Sequence, residues 1–213
     1  MSVRLVLVRH GESLWNTEKR YQGQADSGLT ERGLAQAEVA AAIVEAGFGT
    51  ADLVLTSDLP RARDTAAAYE SRFGGVPVRV DARLREIDVG DWTGRTFAEV
   101  AAAHPERLAE FERGVDVRRG GGETFAELRE RVWAALTEAA AEVGAGTVVA
   151  FAHGGSIRVA AAAALRVPPP GHRQFSPPVN CSLTVIDYGG PDATHALVAY
   201  NQPTAAGATG GAD

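Results

Sequence analysis

The chain has 213 residues, 45% of them hydrophobic and 23% charged, which is typical of a globular domain with a sizeable core. Its net charge of -6 argues against a nucleic-acid-binding surface. The single cysteine, Cys181, allows no internal disulfide, and the N-terminal apolar run is too short for a signal peptide or membrane span. We therefore expect a cytoplasmic protein that binds neither nucleic acid nor membranes.

The first predicted strand, Val3 to Val8, is followed directly by Arg9, His10 and Gly11. Apolar side chains on both faces are typical of a buried parallel strand. Ligands of open α/β sheets bind beyond the carboxyl ends of such strands. Arg9 and His10 therefore lie where chemistry is expected, and Gly11 allows a sharp turn.

Hydrophobic periodicity predicts an alternation of helices and strands along the rest of the chain. In chain order we expect a helix from Glu31 to about Glu45, a strand over Asp52–Thr56, a helix from Arg61 to about Phe73, a strand over Val76–Val80, a helical piece over Phe97–Phe111, a helix from Glu123 or Thr124 to Val143, a strand over Thr147–Ala152, a helix over Ser156–Leu165, and closing strands over Cys181–Tyr188 and Ala196–Tyr200.

Local signals refine these helices. Thr30 is predicted to cap the first helix, whose inward stripe would include Leu34. Ser57 or Asp58 is predicted to cap the helix that begins near Pro60. Thr124 has capping-box spacing with a glutamate three residues later.

The alternation predicts a three-layer α/β/α sandwich with a mostly parallel central sheet. We expect one domain over residues 1–202, in which residues from about 87 to 122 form a small helical cap inserted over the strand ends. The tail, residues 203–213, lacks periodicity and is predicted to be disordered.

Two predicted strands end in the same pattern, a histidine followed by glycine: His10 after the first strand and His153 after the strand over Thr147–Ala152. In a parallel sheet these histidines can lie side by side at one edge. Together with Arg9 and Arg61 they would form a cationic site suited to a phosphoryl group. No HExxH motif, cysteine pair or carboxylate cluster predicts a metal site.

Four motifs in this order resemble the histidine phosphatase superfamily, that is, branch 1 of the phosphoglycerate mutase-like family. They are Arg9-His10-Gly11-Glu12-Ser13, Ser57-Asp58-Leu59-Pro60-Arg61-Ala62, Leu84-Arg85-Glu86-Ile87 through Gly90 and Trp92, and Ala152-His153-Gly154-Gly155. The first tripeptide alone is a weak signal, whereas four ordered motifs from Arg9 to Gly155 are a specific one.

The resemblance implies a role for each matching residue. His10 would be the nucleophile that forms a phosphohistidine, and Arg9, Arg61 and His153 would bind the phosphoryl oxygens. Glu86 would be the general acid and base. Further positions that match phosphate or substrate contacts of the family are Asn16, Gln22, Gly23 and Gly154. No cofactor or metal is implied.

Some assignments stay open. Glu12, Asp88 and Asp91 are alternative candidates for the acid, because they lie near Glu86 or His10 in the chain. Glu123 is interpreted as a helix-start acid that is favourable to the helix dipole, rather than as a catalytic group.

The segment after Glu86 resembles the phosphatase branch. The function predicted is a metal-independent phosphatase acting on small phosphorylated metabolites. The alternatives are a phosphoglycerate mutase, which returns the phosphoryl group to another hydroxyl, and a non-catalytic module that binds phosphorylated ligands. The sequence does not identify the physiological substrate. It leaves the oligomeric state open, with a homodimer as one option.

Overall fold

The computed structural model describes residues 2–204. Within that range the elements are β1 (Val3–Arg9), α1 (Leu14–Thr17), α2 (Glu31–Phe48), β2 (Leu53–Thr56), α3 (Pro60–Glu70), β3 (Val78–Val80), α4 (Phe97–Ala103), α5 (Pro105–Glu112), α6 (Phe125–Val143), β4 (Gly146–Ala152), α7 (Gly154–Ala164), β5 (Leu183–Tyr188) and β6 (Ala196–Gln202). The predicted disordered tail lies, from residue 205 onward, outside the described residues.

Within the described range, six strands form one sheet in the order β3-β2-β4-β1-β5-β6. The pairs β3–β2, β2–β4 and β4–β1 are parallel, whereas β5 runs antiparallel to both of its neighbours. The predicted mostly parallel sheet is therefore confirmed. The antiparallel strand, β5, lies between β1 and the edge strand β6.

Alternation along β1 divides the core into two layers. Leu5 and Leu7 pack with buried residues of α6 and α7 on one face. Val6 and Val8 pack with α2 and α3 on the other face. Helices therefore cover both faces of the sheet, as the predicted three-layer sandwich requires.

The register of β1 and β4 is the feature that positions the site. Val3 pairs with Gly146 and Arg9 with Ala152, so the two strands end level with each other. The backbone N–H of His10 then donates to the Ala152 carbonyl at 3.0 Å. His10 and His153 therefore leave the sheet at the same edge.

The buried face of α2 differs from the prediction. Thr30 is the N-cap, as expected, and its side chain accepts from the Gly33 N–H. Leu34, however, is 51% exposed, because Gly33 is turned against the loop after β1. A Cβ at Gly33 would overlap the Glu12 carbonyl oxygen, and one at Gly11 would overlap the Gly33 carbonyl. This close backbone approach fixes the rotation of α2 and turns Leu34 to solvent.

The start of α3 also corrects the prediction. Leu59 is the N-cap and makes no side-chain cap bond, while Pro60 occupies the first turn. Neither Ser57 nor Asp58 caps the helix. Asp26 takes that role from a distant loop, because its Oδ1 accepts from the Arg61 N–H at 3.2 Å.

The predicted insertion, residues 87–122, contains α4 and α5 together with two 3₁₀ turns, Gly90–Trp92 and Arg119–Gly121. The single helical piece expected over Phe97–Phe111 is wrong. Pro105 lacks an N–H and restricts the residue before it, so α4 ends at Ala103 and α5 begins at Pro105.

The two ends of the insertion meet in a glycine neck, formed by Gly90, Gly120 and Gly122. A Cβ at Gly90 would overlap the Gly120 carbonyl, and one at Gly122 would overlap the Asp88 carbonyl. Only residues without a side chain allow the two backbone segments to approach this closely.

Cys181 is buried, as expected, but it is not part of a strand. It lies with a φ of 55° in the turn before β5. Burial raises the pKa of its thiol to about 12, so it is unreactive near neutral pH. No helix of residues 2–204 has both the length and the apolar composition to cross a bilayer.

We predict that Gly33→Ala destabilises the protein by about 1–3 kcal/mol, because the added methyl forces apart two backbone segments. In a chain of this size the melting temperature falls by about 2–4 °C per kcal/mol. Thermal unfolding followed by circular dichroism measures the change.

Gly47→Ala on the same helix is the control. Its Cβ would meet open space, so this variant should be neutral or stabilised by up to about 1 kcal/mol. Equal melting temperatures for the two variants would contradict the close approach at Gly33.

Candidate active site

His10 is 2% exposed and has both ring nitrogens engaged. Nδ1 lies 2.7 Å from the Gly11 carbonyl oxygen, which can only accept, so Nδ1 carries the proton. Nε2 accepts from Arg61 Nε at 3.3 Å. Burial lowers the pKa of His10 well below 6.5, and the positive charges of Arg61 and Arg9 lower it further. The ring is therefore neutral at pH 7, with the lone pair on Nε2.

Arg61 is 1% exposed and connects His10 with the loop before α2. Its Nη2 donates to the Gly23 carbonyl at 2.8 Å, and its Nη1 donates to the Ala25 carbonyl at 2.6 Å. Nη1 also forms an ion pair with Asp26 at 3.1 Å. The guanidinium is held from several sides, which fixes its position beside Nε2 of His10.

His153 is fully buried, and its ring centroid lies 5.2 Å from that of His10. The predicted meeting of the two histidines is thus present in the structure. Its Nε2 lies 2.9 Å from the Ser57 Oγ, whereas Nδ1 has no hydrogen-bond partner among residues 2–204. Burial and the charge of Arg61 lower the pKa of His153 well below 6.5.

Glu86 is 4% exposed and lies against the start of α7, beside His153. Its Oε2 accepts from the Gly155 N–H at 2.9 Å, and its Oε1 accepts from the Ile87 N–H at 2.8 Å. A Cβ at Gly155 would overlap Oε1. The second glycine of the His-Gly-Gly motif therefore makes room for the carboxyl group of Glu86.

Asn16 and Gln22 belong to a hydrogen-bond network around His10. Asn16 Oδ1 accepts from Asn180 Nδ2 at 3.1 Å, and the same Asn180 Nδ2 donates to the His10 carbonyl at 3.0 Å. Asn16 also completes the capping box of α1 with Ser13. Gln22 Nε2 donates to the Ser13 Oγ at 2.7 Å.

The remaining predicted site residues are backbone or strand-end positions. Gly23, with a φ of 52°, presents its carbonyl to Arg61. Gly154 is the first residue of α7. Arg9 is fully buried and donates through Nη1 to the Pro178 carbonyl. The structure thus brings all of the predicted site residues to one edge of the sheet.

The alternative candidates for the general acid have surroundings different from those of Glu86. Glu12 accepts from the Thr30 Oγ1 at 2.9 Å at the start of α2. Asp88 accepts from the Gly90 N–H at 2.8 Å, and Asp91 is exposed on the insertion. Glu86, by contrast, has its carboxyl group against Gly155, two residues after His153.

Sequence reasoning missed three side chains of the site. Ser57 contacts His153, Asn180 joins His10 to Asn16, and Thr65 Oγ1 accepts from the Gly11 N–H at 3.0 Å. Ser57 follows β2 and shares its sheet edge, which was a usable signal. Nothing in the local sequence marks Asn180 or Thr65.

The model of the histidine phosphatase superfamily (branch 1) matches residues 5–202. The chain belongs to this superfamily. Glucosyl-3-phosphoglycerate phosphatase of Mycobacterium tuberculosis is 39% identical over 173 residues, which cover 78% of this chain and 76% of the relative. Phosphoglycerate mutase-like protein 4 of Arabidopsis thaliana is 34% identical over 157 residues, or 72% of this chain and 67% of the relative.

Solved structures agree with this histidine phosphatase fold. A mycobacterial glucosyl-3-phosphoglycerate phosphatase in complex with VO3 superposes with a TM-score of 0.83 at 34% identity, covering 93% of this chain and 98% of that chain. A structure named mycobacterial hydrolase 1 gives a TM-score of 0.86 at 32% identity, covering 95% and 100%.

Among residues 2–204 of this superfamily member, no three or more His, Cys, Asp or Glu side chains are grouped so as to hold a metal ion.

We predict that His10 and His153 stay neutral in the folded protein at pH 6, and that His10 is the Nδ1–H tautomer. ¹⁵N-NMR of the imidazoles measures both properties. The unfolded chain takes up protons below about pH 6.5, whereas these two rings do not. Stability should therefore fall as pH drops below about 6.5.

Urea denaturation at pH 7.5 and 5.5 checks the stability change. An imidazolium signal for His10 at pH 6.5 would contradict the neutral ring.

Proposed function

We propose that this chain is a phosphatase in which His10 Nε2 attacks phosphorus and the bond to the leaving oxygen breaks. Glu86, in its protonated form, gives its proton to that oxygen. A water then gives a proton to Glu86 and attacks phosphorus, the N–P bond breaks, and inorganic phosphate leaves. The observation that carries the proposal is a neutral imidazole with a fixed tautomer beside Arg61.

Arg61 and the strand-end cations would stabilise charge during both steps. The bond from Arg61 Nε to His10 Nε2 occupies the nucleophile's lone pair, so phosphate binding must displace it. We propose that Arg61 Nε then donates to a phosphoryl oxygen instead, together with Arg9 and His153. Fixed cations in a buried site need little reorganisation during the reaction.

The activity test uses p-nitrophenyl phosphate in the presence of EDTA. We expect hydrolysis without added metal, and we expect His10→Ala to lower kcat by at least about 10³-fold because it removes the nucleophile. His195→Gln is the control, since His195 stacks on Tyr188 at 4.7 Å, and Tyr188 pairs with Val3 at the opposite end of β1.

Two results would overturn this proposal. Undiminished turnover by His10→Ala would remove the nucleophile, and loss of activity in EDTA would indicate a metal mechanism. With 3-phosphoglycerate as substrate, formation of 2-phosphoglycerate without release of phosphate would make the protein a mutase instead.

We further propose that the substrate is a phosphomonoester that also carries a carboxylate, as phosphoglycerates do. The relatives named for phosphoglycerate substrates support this class. We also propose that the enzyme acts in the cytoplasm, where such metabolites occur and where a single thiol such as that of Cys181 stays reduced.

Further buried arginines support a second anionic group on the substrate. Arg158 is 8% exposed and its Nε donates to the Phe175 carbonyl at 3.2 Å. Arg9 donates to Pro178 of the same segment. Arg119 is 5% exposed, and its guanidinium carbon lies 4.7 Å from the centroid of the Phe125 ring.

His172 lies among these arginines. It is 3% exposed and stacks on Phe125 with ring centroids 3.7 Å apart. Burial lowers its pKa to about 3, and the charges of Arg158, Arg119 and Arg173 contribute to that shift. Burial disfavours any ion in this region, so a substrate carboxylate would have to pair directly with these arginines.

We predict that Arg119→Gln lowers kcat/KM for 3-phosphoglycerate by about 10–100-fold, since one charge-assisted hydrogen bond contributes about 1.5–3 kcal/mol. Glycerol 3-phosphate, which lacks the carboxylate, should change by less than about threefold. Steady-state kinetics with both esters measures the difference.

Arg107→Gln is the matched control, because Arg107 is an exposed arginine paired with Glu110 on α5. An equal loss for both esters in Arg119→Gln would contradict a carboxylate contact.

A further inference from the structure

The backbone around Glu86 belongs to no helix or strand. It follows the 3₁₀ turn Ala82–Leu84 and precedes the turn Gly90–Trp92, so its own secondary structure does not hold it. Its position depends on contacts from other elements. Ser156 on α7 supplies one of them, since its Oγ donates to the Arg85 carbonyl at 2.9 Å.

Arg131 on α6 contacts three carbonyls of this segment. Its Nη1 donates to the carbonyl oxygens of Arg83 at 2.8 Å and Arg85 at 2.7 Å. Its Nη2 donates to the Glu86 carbonyl at 2.9 Å. The Arg131 guanidinium thus binds the main-chain carbonyls of Glu86, the proposed acid, and of Arg83 and Arg85.

Glu123 holds Arg131 in this orientation and also binds the main chain beyond Glu86. Its Oε1 accepts from Arg131 Nε at 2.8 Å and its Oε2 from Arg131 Nη2 at 2.7 Å. Oε2 also accepts from the Asp88 N–H at 2.9 Å. The Glu123–Arg131 pair therefore binds the main chain both before and after Glu86.

This pair is mostly shielded from water, with side chains 22% and 20% exposed. Burial alone would raise the pKa of Glu123, but the hydrogen bond from Arg131 and that from Asp88 outweigh it and lower the pKa. Glu123 is consequently ionised at neutral pH and forms a bidentate ion pair, the geometry in which arginine is most directional. The interpretation of Glu123 as a helix-start acid is thus incomplete.

We propose that Glu123 and Arg131 are positioning residues that fix the distance between the Glu86 carboxyl group and the leaving oxygen of the substrate. This inference rests on the proposed role of Glu86 as the general acid. Neither residue touches the phosphoryl site. A displacement of a catalytic group by about 1 Å can cost about 10²-fold in rate, so loss of the pair reduces acid catalysis while phosphate binding stays intact.

The test varies the leaving group. The p-nitrophenolate ion leaves without being protonated, whereas the alkoxide of glycerol must be protonated as it leaves. The parameter is kcat/KM, which reports cleavage of the ester bond. Glu123→Gln and Arg131→Lys should each lower kcat/KM for glycerol 3-phosphate by about 10–100-fold. For p-nitrophenyl phosphate they should lower it by less than about threefold. Inhibition by inorganic phosphate should stay within about threefold of the original, which also verifies that each variant is folded.

Glu142→Gln is the control on the same helix. Glu142 pairs with Arg79 of β3 at 2.8 Å on the surface, and its loss should leave both esters unaffected. Glu86→Gln is the reference, because direct removal of the acid should give the same dependence on leaving group more strongly.

The outcomes distinguish the positioning role of Glu123 and Arg131 from the proposed role of Glu86 as the general acid. If Glu86→Gln shows the leaving-group dependence and both Glu123→Gln and Arg131→Lys lower the two esters equally, or not at all, the positioning role is wrong. If Glu86→Gln itself shows no such dependence, the assignment of the general acid fails, and the positioning role fails with it.

Discussion

The parallel pairing of β1 with β4 is the constraint on which the rest of the site depends. Because Arg9 pairs with Ala152, the residues that follow both strands leave the sheet at the same level. The 5.2 Å separation of the two imidazoles follows from this register and from the spacing of neighbouring strands, about 4.8 Å. A shift by one residue would turn alternate side chains to the other face, and the two histidines would no longer meet.

Burial gives this edge its chemical character. His10, His153, Arg9 and Arg61 are each at most 2% exposed. Guanidinium groups keep their charge in such surroundings, whereas imidazoles lose their proton. The same environment therefore yields fixed cations and a neutral nucleophile. The carbonyl of Gly11 then decides which nitrogen of His10 holds the remaining proton, so the loop after β1 sets the tautomer.

Much of the fold could be predicted from sequence, and the two strands that end in His-Gly indicated at which sheet edge the site lies, whereas Glu86, Asn16 and Gln22 were implied only by the family resemblance. The prediction failed where position depends on contacts distant in the chain. Leu34 is exposed because Gly33 packs on another backbone segment, and Asp26 replaces Ser57 or Asp58 at the start of α3. Arg131 carries no motif, and its contacts with the main chain near Glu86 appear only once α6 packs beside that segment.

The glycine neck brings the two ends of residues 87–122 together. Asp88 and Glu123 join the two ends of the insertion by two hydrogen bonds. The Glu123 N–H donates to the Asp88 carbonyl at 2.9 Å, and the Asp88 N–H donates to Glu123 Oε2 at 2.9 Å. Once the ends of a loop are tied together, added length costs little conformational entropy, about 0.6 kcal/mol per doubling. The segment between these ends can therefore vary in length at little entropic cost, whereas Trp92 and Val100 within it belong to the buried core.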